Sequence, residues 1–233
     1  MLVDTGMGSA FAREPSALFS RCNLWFSRPR LDPAESAVNQ LGELGYHPDD
    51  VGHVVLTHLD ADHAGGLADF PLARVHVNER ELQAASQPNS RLERFRYHDQ
   101  LWGHDVRWAP HGSTPRGDWF GFDATRPVSL PPEIVMVALL GHTRGHVGVA
   151  IETRDGWLLH AGDAYYHRSE IDPTTPQRSA VARTMNRRTP IEPAQHHHTQ
   201  ERLRELVTNH PEVRVFCAHD VKEFERLAGR PAS

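Results

Sequence analysis

The sequence predicts a mixed α/β fold, nearer α+β than a purely parallel sheet. Short apolar runs of strand length alternate with amphipathic helical stretches, yet several of those runs follow one another directly, so a mixed sheet is expected. Single histidines and aspartates recur at the ends of the apolar runs, as a site assembled from strand termini requires.

Taken in order, Met1 to Thr5 is a short strand ending at Gly6. Pro33 to Leu44 is an amphipathic helix, with Asp32 as N-cap, Pro33 at the first position and Gly45 as its stop. His53 to Thr57 is a buried strand, and His58 opens the loop after it. Ala64 to Asp69 is a short helix, Arg74 to Val77 a strand, and Asn78 to Ala85 a helix capped by Asn78. Residues 88–126 lack periodicity and are rich in Trp, His, Pro and Gly; a stretch of that length reads as a lid-like insertion in a single domain spanning 1–233. Glu133 to Leu140, Val147 to Glu152 and Trp157 to His160 are strands, the last two joined by a turn at Asp155-Gly156. Thr199 to Asn209 is a helix and Val213 to Cys217 a final strand.

Composition narrows the function classes. The chain has 233 residues, 39% hydrophobic and 24% charged, enough for a sizeable core. A net charge of -5 and the absence of a basic block speak against nucleic-acid or anionic-membrane partners. Arg91, Arg94 and Arg96 alternate with acids and read as a solvated helix face. Cys22 and Cys217 cannot build a disulfide framework; one bridge stays open, and two lone thiols suit a reducing cytoplasm. No signal peptide or membrane-length apolar run is visible, so the expected location is cytoplasmic, as a monomer or homodimer.

Seventeen histidines direct attention to where they sit. The segment THLDADHAGG (Thr57 to Gly66) places His58, Asp60, Asp62 and His63 within six residues at a strand end. Gly65 and Gly66 let backbone approach closely. The alternative, a polar loop facing water, is weakened by the pieces downstream: GHTRGH (Gly141 to His146), GDAYY (Gly162 to Tyr166) and FCAHD (Phe216 to Asp220) each follow an apolar run. Imidazole with carboxylate suits zinc, iron or manganese. Other histidines carry less. His196, His197 and His198 are consecutive, point in different directions and read as a solvated stretch before a helix. His76, His104 and His111 read as surface or lid residues. Trp102, Trp108 and Trp119 suit either an acyl pocket or core packing.

With LVDTGM at Leu2 to Met7, these motifs resemble the metallo-β-lactamase superfamily in order and spacing, and more narrowly the N-acyl homoserine lactone lactonase-like metallo-hydrolases. The resemblance implies an αββα sandwich with a dinuclear site. One divalent ion would be held by His58, His142 and Asp60, the other by Asp62, His63 and His219, with Asp163 bridging. Asp4 and His146 would stand behind the ligands and orient them. Two departures stand out. The family motif His-x-His-x-Asp-His has Asp60 at its second histidine, which tilts zinc towards iron or manganese and opens a mononuclear alternative. Family members also usually carry a strand or hairpin before LVDTG, whereas this sequence starts at it, which leaves two alternatives: a mis-assigned start, or a sheet lacking its first N-terminal strand or strands.

The implied chemistry is attack of a metal-bound hydroxide on a lactone or carboxylic ester carbonyl, with Asp62 carrying the proton. Tyr166 stands where the lactonases carry a tyrosine that hydrogen-bonds substrate, and Tyr165 beside it is the alternative. The rival activities are a thioesterase of the glyoxalase II type and a degenerate, non-catalytic metal-binding domain.

Overall fold

The structure, a computed structural model, describes residues 1–15, 29–30, 32–112, 117–175 and 180–229. Cys22, half of the open bridge, lies outside them; Cys217 is a buried free thiol whose pKa burial pushes well up. Two compact units divide the chain, Met1–His111 and Gly112–Ser233.

The first unit holds a sheet in the order β1 (Leu2–Val3), β2 (His53–Val55), β3 (Arg74–Asn78), β4 (Arg107–His111), all parallel. Its core gathers Val54, Leu56, Leu59, Leu67, Phe70 and Val75. Helices α1 (Gly8–Arg13), α2 (Ala37–Glu43), α3 (Ala61–Ala64), α4 (Glu79–Ser86) and α5 (Arg91–Arg96) complete it. Two expected helices are broken by local chemistry. Asp32 does cap, accepting from the Ala34 N–H, but it caps only a 3-10 turn over Pro33–Glu35. The Ser36 hydroxyl then donates to Pro33 O and its extended backbone restarts the helix at Ala37. The helix expected over Ala64 to Asp69 is instead α3 and a separate 3-10 turn at Leu67–Asp69, parted by Gly65 and Gly66. A Cβ on Gly65 would meet Met7 O at 2.6 Å, and one on Gly66 would meet Thr5 O at 2.6 Å. Only glycine admits this contact between the LVDTG segment and the loop after His58.

The second unit holds the sheet β10-β9-β8-β7-β6-β5, built from β5 (Gly117–Trp119), β6 (Phe122–Thr125), β7 (Ile134–Ala138), β8 (Val147–Thr153), β9 (Gly156–His160) and β10 (Val213–Phe216). All pairs are antiparallel except β9 with β10. Val137, Leu139, Leu159, Tyr165, Ile171 and Leu203 centre its core. Helices α6 (Ala180–Arg188), α7 (Pro193–Asn209) and α8 (Val221–Leu227) follow. Among the described residues no helix is long and apolar enough to cross a membrane.

The stretch 88–126, expected as a lid-like insertion, is regular where it is described. It supplies α5 and β4 to the first unit and the β5–β6 hairpin to the second. Strand β4 hides its character because Pro110 interrupts the pattern, as an edge strand allows. The hairpin turn is formed by Phe120 (φ 47°) and Gly121 (φ 82°), and phenylalanine is no turn signal. Trp119 packs in the second core, and Trp102 and Trp108 pack against the first, so none is left to a lid.

His76 is fully buried on β3 rather than at the surface. Its Nε2 lies 2.9 Å from His53 Nδ1 and its Nδ1 lies 2.9 Å from His111 Nε2, a row of three rings across neighbouring strands. Burial foremost, then His111, His53 and Arg74, pushes the His76 pKa down to about 4. The unfolded chain therefore takes up this proton first as pH falls. The contribution of His76 is complete above its unfolded pKa of about 6.5 and is lost between there and about 4. From pH 7 to pH 4.5 the native protein should lose about 2 kcal/mol more than His76→Gln. Urea midpoints at the two pH values measure this, and equal losses would refute it.

Candidate metal-ligand clusters

In the first unit, β2 delivers Thr57 and His58 into a loop that α3 closes. The backbone N–H groups of His63 and Ala64 both donate to Asp60 O, which turns the loop tightly enough to gather its side chains. His58 Nε2 comes within 3.3 Å of Asp60 Oδ2, and His63 Nε2 within 3.8 Å of Asp62 Oδ2. The His58 and His63 rings are 4.0 Å apart. Behind them stands Asp4, in the left-handed region at φ 57°. Its Oδ1 accepts from the Thr57 N–H at 2.7 Å. Its Oδ2 accepts from the Thr57 hydroxyl at 2.8 Å and pairs with His63 Nδ1 at 2.8 Å. The same Thr57 hydroxyl lies 2.9 Å from His58 Nδ1. Both Nδ1 atoms are thereby engaged, which leaves the Nε2 atoms facing carboxylates.

Asp60 has a cationic neighbour on α5. Arg96, expected on a solvated face, has a side chain only 8% exposed and forms an ion pair with Asp60 Oδ2. Arg91 and Arg94 are exposed as expected. Glu81, on α4, also turns towards this loop. It is fully buried, and its Oε1 accepts from the Leu59 N–H at 3.1 Å and the Tyr97 hydroxyl at 3.2 Å. A glutamate in the first turn of a polar helix gives no sign of inward orientation.

In the second unit, Gly141 ends the β7 run at φ 122°, where a Cβ would sit 2.2 Å from the His196 backbone nitrogen. His142 follows. Its Nε2 lies 3.6 Å from Asp163 Oδ2, while its Nδ1 meets the Tyr166 hydroxyl at 3.2 Å. That hydroxyl also bonds Thr189 Oγ1 at 2.8 Å. His219, brought up after β10, places Nε2 3.2 Å from each oxygen of Asp163. His146 is occupied by the backbone: Nδ1 contacts Leu139 O at 2.9 Å and Nε2 accepts from the Asp163 N–H at 3.0 Å. With both nitrogens engaged, His146 aims Asp163 rather than a ligand lone pair.

Tyr165 is fully buried and its hydroxyl donates to Glu223 Oε2 at 2.8 Å, so it is no stand-in for Tyr166. Helix α7 begins at Pro193 rather than Thr199, so His196 is helical and buried, with Nε2 2.7 Å from Asn186 Oδ1. His197 and His198 are exposed.

Both clusters fit divalent ions by their donors. Ligands at about 2.0–2.2 Å around a tetrahedral ion stand roughly 3.4 Å from one another. The imidazole-to-carboxylate separations of 3.2 to 3.8 Å match that spacing. Nitrogen and oxygen donors without a thiolate suit zinc, iron and manganese alike.

Comparison with known proteins agrees. Residues 1–219 match the family model described as the Metallo-beta-lactamase superfamily. A probable metallo-hydrolase of Mycobacterium tuberculosis is 39% identical over 230 residues, covering 94% of this chain and 70% of its own length. An N-acyl homoserine lactonase of Bacillus thuringiensis is 25% identical over 226 residues, covering 96% of this chain and 77% of its own. A solved N-acyl homoserine lactone hydrolase, with N-hexanoyl-L-homoserine at its catalytic metal centre, superposes with a TM-score of 0.71 at 22% identity, over 97% of this chain and 78% of that one. At that identity the likeness speaks for the fold alone.

Proposed function

The chain belongs to the metallo-β-lactamase superfamily and is a hydrolase of that family, and from this we propose that it opens a lactone or carboxylic ester with divalent ions held by these residues. By the family resemblance, one ion would be held by His58, Asp60 and His142, the other by Asp62, His63 and His219, with Asp163 shared. Such ions would supply an acidified water and a Lewis acid for the carbonyl.

The chain's own residues do the remaining work. Asp4 and Thr57 hold His63 and His58 with Nε2 outward, and Tyr166 does the same for His142. Asp62, with a side chain 36% exposed, would accept a proton and return it to the leaving oxygen. The hydroxyl-to-substrate bond that the family resemblance implies for Tyr166 would require it to leave Thr189 or His142. Its first role here is therefore positional.

One observation carries this reading. The Nδ1 atoms of His58, His63 and His142 are each engaged by a neighbouring side chain, while each Nε2 stands 3.3 to 3.8 Å from a carboxylate. The choice of lactone follows the Bacillus thuringiensis relative. The test is a panel of acyl homoserine lactones, simple lactones, aryl esters and acyl-glutathione thioesters, with protein loaded with zinc, manganese or iron. Turnover of lactones or esters, lost on chelation, is the expected result. Turnover of thioesters alone would move the activity to the glyoxalase II type. Metal retention with no turnover of any substrate would favour the non-catalytic alternative.

A further inference from the structure

The Arg96–Asp60 pair is built into the first unit rather than a chance surface contact. Arg96 is the last residue of α5, which a capping box between Ser90 and Glu93 fixes at its start. Tyr97, the next residue, is tied to Glu81, and the same Glu81 oxygen holds the Leu59 N–H between His58 and Asp60. One buried carboxylate thus registers the arginine against the aspartate. The Arg96 and Asp60 side chains are 8% and 15% exposed, so water screens their attraction little.

The oxygen that Arg96 grips, Asp60 Oδ2, is the one that faces His58 Nε2 at 3.3 Å. An ion there would sit about 2.1 Å from that oxygen. Ion and guanidinium would then lie within about 5 Å, two cations on one carboxylate in a poorly hydrated place. The carboxylate adds a negative charge to the ligand set, and Arg96 cancels it.

We propose that Arg96 is an internal competitor for Asp60, so that the cation position served by His58 and Asp60 fills only at much higher free metal than the one served by Asp62 and His63. The inference rests on the metal-holding reading above. It makes the number of ions per chain a function of metal supply, with a mononuclear form at low supply.

The test reads metal rather than turnover. Wild type, Arg96→Gln and Arg96→Lys are dialysed against zinc buffers from picomolar to micromolar free ion, and bound zinc is counted by elemental mass spectrometry. Glutamine keeps a donor for Asp60 and removes the charge; lysine keeps the charge. Expected are two separated loading steps in wild type and Arg96→Lys, with the upper step moved down by about 10- to 100-fold in Arg96→Gln. An unmoved or weakened upper step in Arg96→Gln overturns the proposal. So does an equal shift in Arg96→Lys, which would assign the effect to packing. Melting temperatures provide a second reading if one variant is poorly folded. Metal-free Arg96→Gln should melt below wild type and gain more from saturating zinc, and an equal gain in both counts against competition. Wild type that takes up no zinc at any concentration would instead sink the metal reading itself.

Discussion

Asp163→Asn is expected to lower kcat/KM for the best substrate by about 10³-fold or more, the several kcal/mol of charge stabilisation that a shared carboxylate supports. In the second unit Asp163 is the meeting point. Its side chain is 4% exposed, His219 Nε2 lies 3.2 Å from both oxygens, and His142 Nε2 lies 3.6 Å away. The substitution is nearly isosteric and leaves intact the backbone N–H that donates to His146, so the fold should persist. What changes is charge, together with one of the two oxygens. Bound metal should fall along with activity. Steady-state kinetics and metal counts on the same preparation read both, and a variant with wild-type kinetics and metal would remove Asp163 from the proposed bridge.

Much of this arrangement is legible in the sequence, for a physical reason. A candidate ligand at a strand end is announced twice, by the apolar run before it and by the glycine that lets the chain turn, as at Gly141-His142 and Gly162-Asp163. Residues that act from helices announce nothing. Arg96, Glu81 and Glu223 sit among other charged residues in helices whose polar composition reads as solvated, yet the side chains of all three are buried or nearly so. Glu223 accepts from both the Tyr165 hydroxyl and the Cys217 N–H, and so anchors the strand end that carries His219. Only tertiary contact separates such residues from their exposed neighbours. The regular elements within 88–126 were hidden for another reason. An edge strand with an interior proline and a turn made by Phe120 do not carry the period or the turn residues by which strands and hairpins are recognised.

Asp4→Asn is expected to weaken zinc binding by about 10- to 100-fold while costing about 1–3 kcal/mol of stability. Asparagine tolerates the left-handed backbone at position 4, where φ is 57°, so the substitution isolates the carboxylate. That carboxylate accepts from the Thr57 N–H on one oxygen, and from the Thr57 hydroxyl and His63 Nδ1 on the other. An amide has only one acceptor end. If its oxygen faces His63 and the Thr57 hydroxyl, its NH₂ meets the Thr57 N–H donor to donor. If it is flipped, His63 Nδ1 loses its acceptor, and the Thr57 hydroxyl must turn, disturbing His58 Nδ1 as well. Both orientations loosen at least one imidazole whose Nε2 is assigned to an ion. The expected pattern is a fall in zinc affinity by competition with a chelating dye, with a modest drop in urea midpoint. A stability loss with unchanged affinity would mean that Asp4 only fastens the loop, and that the tautomers of His58 and His63 are set elsewhere.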